Sequence, residues 1–580
     1  MKNSPGQLQN VSDSKLAVAS VLGFLHSRCQ QFAARPALCV KEADGWRELT
    51  YGDLAQRAKS LASCLIELGL QLGDRVAILS ESKPEWGICF FAGVRSGATM
   101  VPLDIKLTQA ELTNILSDCQ PKVVFVDSKH KEVIDSVAEK VKSIEHIFLV
   151  ESGGDELHQS IALLQPQAIQ EGVDRQLDEV AVLVYTSGTT GNPKGVMTTY
   201  GNLIFQVQSF KEVIDLTEED RFLSILPLNH LLELTGGFLG VLNQGGMVSF
   251  CHSLFPQEII RSLRDRQITG LVGVPLFFKS LKGGIEREIR RKGEEEVQRF
   301  AAALVKAEDL PLSERAKLFA PVHEQLGGKV RVFICGGAPL ELEVAQFFQR
   351  LGIPILQGYG LTETSPVIAG NRLDANRLGS VGPALKGVEV KIDLKDPGDT
   401  EGEILTRGPH VMHGYYKRPE QTQEIVDSGG WLHTGDIGHL DDDGFLFITG
   451  RIKNLIVLGG GKKVFPEEVE AALSAGETIK EICIIGSKSA DGFKEGTEEV
   501  AAVVVPADAL VHEHKGNADL VEQAVKKEID LLNQNLAAYK RPTRIFFHAD
   551  ELPKTATRKV KRNLVAEWMK GACQQGRQES

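Results

Sequence analysis

The sequence predicts an α/β protein with a large N-terminal domain of layered sheets and helices and a small, mobile α+β C-terminal domain. The chain has 580 residues, which exceeds the ~250–300 residues at which a single hydrophobic core stops growing. Short β-rich runs alternate with helical stretches in its first part, a pattern that favours parallel sheets covered by helices. The pattern changes near residue 450, where long strands and one amphipathic helix could form a domain of their own.

Short apolar runs define the expected strands and helices. Strands are predicted at 75–79, 122–126, 181–184, 270–274, 330–335, 482–485, 500–505 and 544–547, and helices at 85–96 and 520–536. The most membrane-like segment, Leu231–Phe250, is interrupted by Glu233, Asn243 and glycine pairs. A spanning helix needs about 20 mainly apolar residues, so this segment is interpreted as helix, turn and strand.

The predicted domains are residues 1–452 and 453–580. A charged, strand-poor section at about 281–326 is expected to be a helical insert of the large domain. Solvated helices are favoured there over a coiled-coil partner surface, because heptads are not sustained.

Composition excludes several classes of protein. The net charge is −12 and 24% of residues are charged, which argues against nonspecific nucleic-acid binding. The nine cysteines lie mostly in apolar runs, which indicates buried, reduced thiols in a cytosolic protein. The apolar run at 16–25 follows an aspartate and is expected to open a helix, not to be a signal peptide.

A loop rich in glycine and hydroxyls is the strongest chemical signal. It is the segment YTSGTTGNPKG at 185–195, directly after an apolar strand. Backbone N–H groups, hydroxyls and one ammonium can bind phosphate oxygens there. The candidate phosphate-binding residues are Thr186, Ser187, Gly188, Thr189, Thr190, Gly191 and Lys194. The loop is not a Walker A motif, because glycine follows the lysine where serine or threonine is required.

This segment resembles the phosphate loop of the acyl- and aryl-adenylate-forming enzymes, which include acyl-CoA synthetases, peptide-synthetase adenylation domains and luciferases. Further motifs of that superfamily follow in order. They are GGAPL at 336–340, QGYGLTET at 357–364, WLHTGD at 431–436, GRIK at 450–453 and PKTATRK at 553–559. The resemblance covers about residues 30–565 and is greatest to bacterial long-chain fatty acyl-CoA synthetases.

The QGYGLTET motif offers groups for a nucleotide. Tyr359 could stack on adenine, Thr362 could bond a phosphate, and Glu363 is an oxygen ligand suited to Mg²⁺; the alternative for Glu363 is a carboxylate at a helix N-terminus. By resemblance, the backbone of the GGAPL loop lines the adenine and acyl site. The nucleotide-binding set from both motifs is Gly336, Gly337, Ala338, Pro339, Gln357, Gly358, Tyr359, Gly360 and Thr362.

The resemblance also implies roles near the ribose and the hinge. Asp436 would accept both ribose hydroxyls, and Arg451 would lie near them. Lys453 matches the hinge about which the small domain swivels, although an exposed lysine would look the same. Gly460 and Gly461 would face the pantetheine tunnel after that rotation.

Two further residues are assigned to chemistry by resemblance. Lys559 matches the catalytic lysine near the C-terminus, whose ammonium would offset the repulsion between a carboxylate and the α-phosphate. The usual glycine before it is Arg558 here. His230 matches a histidine near the acyl and phosphate site, with a core or helix-capping histidine as the alternative.

The resemblance implies an ATP- and Mg²⁺-dependent ligase that converts a fatty acid to an acyl-adenylate and then to a thioester with CoA. Its expected substrate is a long-chain acid. The alternatives are transfer to an acyl-carrier protein, arrest at the adenylate, and a noncatalytic adenylate-binding regulator. We expect a cytoplasmic protein with small-molecule partners and no nucleic acid; a homodimer and peripheral membrane contact through the basic stretch 554–562 stay open.

Overall fold

The structure is a computed structural model that describes residues 27–151, 158–186, 193–251, 253, 255–396, 398–458, 462–474, 476–488, 498–554 and 560–575. The predicted opening helix at 16–25, the centre of the phosphate loop and the segment that carries Lys559 lie outside these residues.

Twenty-five strands in the described residues are numbered in chain order. They are β1 (Pro36–Glu42), β2 (Gly45–Thr50), β3 (Arg75–Leu79), β4 (Thr99–Pro102), β5 (Val123–Val126), β6 (His146–Leu149), β7 (Gln159–Ser160), β8 (Val180–Thr186), β9 (Lys194–Thr199), β10 (Arg221–Ser224), β11 (Met247–Phe250), β12 (Gly270–Gly273), β13 (Val332–Cys335), β14 (Ile355–Tyr359), β15 (Ala369–Gly370), β16 (Glu389–Asp393), β17 (Gly402–Arg407), β18 (Gly414–Tyr415), β19 (Leu432–Leu440), β20 (Leu446–Arg451), β21 (Ile456–Val457), β22 (Lys463–Val464), β23 (Ile479–Lys488), β24 (Glu498–Pro506) and β25 (Arg544–Phe547).

The helices are numbered in the same way. They are α1 (Tyr51–Glu67), α2 (Pro84–Arg95), α3 (Gln109–Cys119), α4 (Lys131–Ala138), α5 (Tyr200–Val213), α6 (Pro256–Asp265), α7 (Pro275–Arg291), α8 (Glu294–Lys306), α9 (Leu312–Leu318), α10 (Ala320–Gln325), α11 (Leu342–Leu351), α12 (Pro419–Gln423), α13 (Pro466–Leu473), α14 (Asp508–Glu513), α15 (Ala518–Leu532) and α16 (Arg562–Gln575). A π-helix runs over Glu233–Gly240 and continues as one α-turn to Asn243.

Two eight-stranded sheets form the large domain. Their orders are β15-β14-β13-β12-β10-β11-β1-β2 and β18-β9-β8-β4-β3-β5-β6-β7. Both are parallel in their interiors; the first is antiparallel at both edges, and the second is antiparallel only at the edge formed by β18, β9 and β8. Central strands such as β5 and β13 are buried at every residue, as expected where helices cover both faces of a parallel sheet.

The main core combines side chains of both sheets and of the helices between them. Trp86 of α2 packs against Phe238 of the π-helix and stacks on Phe90. Val76 of β3 and Phe222 of β10 belong to the same buried cluster. This shared core fixes the two sheets relative to each other and so positions the loops at their strand ends.

The predicted insert is helical throughout. Helices α7 to α10 occupy 275–325 without a strand among them. Phe300 of α8 packs against Phe319 and against Phe347 of α11. The apolar face of α8 is therefore used inside the protein, which agrees with the solvated-helix interpretation over a coiled-coil surface.

A smaller antiparallel sheet of order β16-β17-β19-β20 leads to the C-terminal part, where β23, β24 and β25 form a three-stranded sheet. Helices α13 and α15 pack on that sheet around one apolar cluster. The predicted strands and amphipathic helix of this region are confirmed, as is the α/β fold class. The boundary at 452/453 falls in the turn Ile452–Asn454 and stays a prediction.

The structure also describes most of the cysteines and the membrane-like segment. Eight cysteines of the described residues are free thiols, and six of them are buried. Among the helices of the described residues, none has both the length and the apolar character needed to cross a membrane. The segment 231–250 forms a helix, a turn and strand β11, as predicted.

Candidate active site

The phosphate loop joins two antiparallel strands of the second sheet. Thr186 at the end of β8 lies opposite Lys194 at the start of β9, and Tyr185 lies opposite Gly195. The strand pair therefore brings the two ends of the loop together. The loop residues between them lie outside the described residues, namely Ser187, Gly188, Thr189, Thr190 and Gly191.

The base of this loop is braced by helix α3. The Tyr185 hydroxyl donates to Asp118 Oδ2 at 2.6 Å, and Lys417 Nζ donates to the Asp118 carbonyl at 2.6 Å. Burial is the main cause that raises the pKa of Tyr185, so this hydroxyl remains a donor at neutral pH. The start of the phosphate loop is thus tied to a rigid element.

Tyr415 connects the phosphate loop to the predicted metal ligand. The Lys194 ammonium lies 4.9 Å from the centre of the Tyr415 ring, a cation–π contact. The hydroxyl of the same tyrosine donates to Glu363 Oε1 at 2.7 Å. Tyr415 therefore contacts both the predicted phosphate-binding residue Lys194 and the predicted metal ligand Glu363.

Both glycine motifs of the first sheet follow neighbouring parallel strands. Gly336 comes directly after β13 and Gly358 lies in β14, whose Gln357 pairs with Cys335. A Cβ built at Gly336 would lie 2.9 Å from Leu232 Cδ2 and 3.6 Å from the Gly358 carbonyl oxygen. Gly337, with φ +84°, turns the chain into Ala338 and Pro339. The ends of parallel strands are where open α/β sheets bind ligands.

Gly360 makes room for the chain that follows Glu363. A Cβ at this position would lie 1.8 Å from the Pro366 carbonyl oxygen, so no other residue fits. Thr362 and Glu363 lie in the short 3₁₀ turn between them. Gln206 of α5 supports this turn by donating to the carbonyls of Thr364 at 3.0 Å and Val367 at 2.8 Å.

The predicted ribose residues lie together, with Asp436 buried and Arg451 exposed. The Tyr359 hydroxyl donates to Asp436 Oδ2 at 2.8 Å, and Arg451 Nε lies 2.5 Å from Asp436 Oδ1. Asp436 and Arg451 are partners across strands β19 and β20. Burial, followed by the Asp436 charge, raises the pKa of Tyr359 well above its usual value. The carboxylate is held in place by a phenol and a guanidinium.

His230 begins the helical segment that faces the GGAPL loop. Its carbonyl accepts from Leu234 N at 3.0 Å, and its own N–H donates to the Pro227 carbonyl at 3.1 Å. Two residues later, Leu232 contacts Gly336. The helix-start interpretation of His230 agrees with this backbone, and its catalytic role stays a prediction.

The hinge and the catalytic lysine are described only in part. Lys453 lies in the turn Ile452–Asn454 between β20 and β21. Gly460, Gly461 and Lys559 lie outside the described residues. Their predicted roles are untested by the geometry.

A magnesium ion fits one carboxylate of this site. Within the described ranges, no group of three or more His, Cys, Asp or Glu side chains could hold a metal by itself. Mg²⁺ commonly takes only one or two protein carboxylates together with substrate phosphates. Tyr415 occupies one carboxylate oxygen of Glu363, which leaves the second oxygen for a metal ion. Because Tyr415 also contacts Lys194, Glu363 lies near the end of the phosphate loop.

Three supporting residues were not identified from the sequence: Asp118, Gln206 and Tyr415. Asp118 and Gln206 lie in helices far from any motif, and no local pattern marks them. The paired tyrosines of HGYYK at 413–417 are the one signal that could have been noticed.

Comparison with known proteins agrees with this geometry. The family model described as AMP-binding enzyme matches residues 25–416, and that of the AMP-binding enzyme C-terminal domain matches residues 468–559. The chain is 31% identical over 524 residues to a feruloyl-CoA synthase of Amycolatopsis sp, covering 89% of this chain and 93% of the relative. It is 29% identical over 563 residues to the long-chain-fatty-acid–CoA ligase FadD15 of Mycobacterium bovis, covering 90% and 91%.

A solved structure gives the same result for the fold. The o-succinylbenzoate coenzyme A synthetase of Bacillus subtilis, in complex with ATP and a magnesium ion, superposes with a TM-score of 0.72 at 26% identity, covering 93% of this chain and 98% of that one. The family model alone spans the phosphate loop, the GGAPL loop, Glu363 and Tyr415. Because the two family models together match most of the chain, it belongs to the AMP-binding enzyme family, with the C-terminal domain of that family.

Proposed function

We propose that this protein is an acid–thiol ligase that forms an acyl-CoA from a carboxylic acid, ATP and CoA, with Mg²⁺ as the metal. One observation carries the proposal: Tyr415 contacts both Lys194 and Glu363, and Tyr359, four residues before Glu363, donates to Asp436. This arrangement supports one site in which groups suited to phosphate, metal and ribose act together. The expectation of an adenylate-forming enzyme agrees with the family and with the ATP and magnesium found in a related structure.

The first step joins the acid to the nucleotide. A carboxylate oxygen attacks the α-phosphorus, and the bond to the bridging oxygen breaks, so that an acyl-adenylate forms and pyrophosphate leaves. The phosphate loop and Lys194 would hold the triphosphate, and Asp436 would fix the ribose. Lys559 would stabilise the negative charge that gathers as the two anions meet. Bound Mg²⁺, with Glu363 among its ligands, would neutralise the phosphates.

The second step uses the adenylate as an activated acyl group. The CoA sulfur attacks the acyl carbon, the thiol proton is released, and AMP leaves with its former acyl oxygen. Splitting the reaction this way replaces a poor leaving group by a good one. We propose that the small domain rotates about Lys453 between the steps, which would bring Gly460 and Gly461 towards the pantetheine.

The substrate proposed is a long-chain fatty acid. The helical insert α7–α10 and the similarity to a long-chain ligase favour it, whereas the similarity to a feruloyl-CoA synthase favours an aromatic acid. Phe277 and Phe278 follow strand β12 and could line an acyl pocket, but Phe278 is fully buried between Phe333 and Phe348 and serves packing. Phe277 beside it is half-buried and remains a pocket candidate.

A cytoplasmic location stays a prediction, and the case for lipid contact is weakened. Within the basic stretch 554–562, Lys554 pairs with Glu481 and Glu551, and Arg562 pairs with Glu467 and Glu470. These two cations are used within the small domain and are not presented to an anionic surface.

An ATP–pyrophosphate exchange screen over carboxylic acids of varied length and aromaticity tests the proposal. Exchange should be greatest with long-chain acids, and mass spectrometry should find the acyl-CoA. Accumulation of adenylate alone, or transfer only to a supplied carrier protein, would favour the two related ligases. Absence of exchange with every acid would favour the noncatalytic regulator.

A pair of lysine variants tests the assigned chemistry. Lys559→Ala should lower adenylate formation by about 100-fold, as the loss of a charge-stabilising group does. Lys570→Ala removes an exposed lysine of the same domain and should have no effect. A loss below about tenfold in the first variant would contradict the role of Lys559.

A further inference from the structure

One lysine of the helical insert touches both the active-site loop and the C-terminal domain. Lys279 of α7 donates to Glu341 Oε1 at 2.8 Å and to the Ser474 carbonyl at 3.5 Å. Glu341 is the N-cap of α11 and directly follows the GGAPL loop. Ser474 is the C-cap of α13 in the C-terminal domain. A single ammonium therefore bridges the two domains beside the predicted adenine and acyl site.

The end of α13 is a suitable acceptor for this cation. The last carbonyls of a helix have no partner within it and carry the negative end of the helix dipole. Helix α13 has two glutamates in its first turn and no basic residue in its last turn. The positive charge that would normally come from the helix itself is supplied by Lys279 from the other domain.

A second interaction between the two domains bears on the domain orientation in which this bridge forms. The pKa of Glu111 in α3 is lowered mainly by its hydrogen bonds with Thr108, with a further contribution from Lys561 of the C-terminal domain. Lys561 follows Lys559 by two residues. The other end of α3 carries Asp118, which holds Tyr185 at the base of the phosphate loop. Lys561 is therefore close enough to the start of α3 to act electrostatically on Glu111.

We propose that Lys279 is a positioning residue that holds the C-terminal domain in the orientation for adenylate formation. Glu341 orients the ammonium, and the end of α13 is the contact that the domain must release before it rotates. This inference rests on the proposed two-step reaction. The rotation would break the contact with Ser474 and leave that with Glu341, so Lys279 should matter in the first step and not in the second.

Lys282 provides a matched control one turn further along α7. Its ammonium lies 2.8 Å from Glu343 and 2.9 Å from Glu286, both in the large domain. Lys279 and Lys282 thus lie on the same helix, and each pairs with its own glutamate near the start of α11, Glu341 and Glu343. They differ in the contact with the C-terminal domain.

The experiment measures the two half-reactions separately in full-length Lys279→Ala, Lys279→Arg and Lys282→Ala proteins. Lys279→Ala should slow ATP–pyrophosphate exchange about fivefold, as expected for one partly exposed charged hydrogen bond. It should leave thioester formation from supplied acyl-adenylate and CoA unchanged or faster. Lys279→Arg should retain most of the exchange rate, and Lys282→Ala should leave the ratio of the two rates unchanged. Equal losses in both half-reactions, or the same change in Lys282→Ala, would overturn the proposal.

Hydrogen–deuterium exchange gives a readout that does not depend on catalysis. Amides at 466–474 and in the hinge at 451–458 should exchange faster in Lys279→Ala than in Lys282→Ala. If they do not, the bridge is wrong even where the ligase activity is established. If these amides do exchange faster but neither the wild type nor any variant catalyses ATP–pyrophosphate exchange, the proposed function is wrong and the bridge is still supported.

Discussion

Two buried carboxyl groups near the predicted cleft are accommodated in opposite ways. Asp436 is 4% exposed and Glu233 is 0% exposed. Asp436 has a guanidinium on one oxygen and a phenol on the other. Within the described part of the chain, neither oxygen of Glu233 meets hydrogen-bonding geometry with a partner. Burying a charge is tolerated where partners compensate it, and otherwise the group becomes neutral.

The local structure explains this difference. Strand pairing places Arg451 opposite Asp436, so the sheet itself supplies the counter-charge. Glu233 begins the π-helix, and its carboxyl lies where a Cβ at Gly237 would be 2.7 Å away. Desolvation raises the pKa of Glu233 to about 8, and the nearby Ser224 hydroxyl opposes only part of the shift. The first carboxyl group is thus paired with a cation, whereas the second has its pKa raised by burial.

Among the substitutions that test this contrast, removing the charge of Asp436 should have the largest effect. Asp436→Asn would remove the counter-charge of the partly exposed Arg451 and would take a charged acceptor from the proposed ribose site. We expect kcat/KM for ATP to fall about 100-fold, measured by pyrophosphate exchange. Glu389→Gln is the control, because Glu389 pairs with Arg407 at the surface of the same sheet and should change little. Equal losses in both variants would mean that Asp436 is only structural.

Removing the ionisable group at Glu233 should change stability with pH. The folded-state pKa of about 8 lies above the usual 4.5, so the unfolded chain binds fewer protons between these values and wild-type stability falls as pH rises through them. Glu233→Gln lacks this loss, so its stability advantage over wild type should be roughly 3–4 kcal/mol greater at pH 8 than at pH 5. Chemical denaturation at both pH values measures it. A difference that does not change with pH would show that Glu233 is ionised in the fold.

Removing only the Tyr359 hydroxyl, which donates to Asp436, should have the smallest effect. Tyr359→Phe retains the ring for adenine and the ion pair with Arg451, and loses one hydrogen bond to a carboxylate. The KM for ATP should rise about fivefold with kcat little changed, which corresponds to ~1 kcal/mol. Steady-state kinetics with ATP varied separate the two constants. A loss confined to kcat would place Tyr359 in the chemical step instead of in nucleotide binding.

Much of the fold could be read from local patterns. The strands at 75–79 and 544–547 were predicted at their observed bounds, because β-rich apolar runs between polar turns have few alternatives. The helical insert was also recognised, although α7 begins at Pro275, before the predicted start at about 281. Among the motif residues, Lys194 and Glu363 both contact Tyr415, and Tyr359 and Arg451 both contact Asp436; their roles in binding stay predictions.

The sequence by itself determined the fold class, the family and the motif residues of the cleft, because these follow from local periodicity and from ordered motifs. Only the tertiary structure decided that Tyr415 joins Lys194 to Glu363, that Asp118 holds the phosphate loop, and that Lys279 reaches the C-terminal domain. These contacts join residues far apart in the chain, from elements whose mutual placement depends on how two sheets share one core. The same packing left Glu233 without a counter-charge, which no pattern of neighbouring residues could indicate.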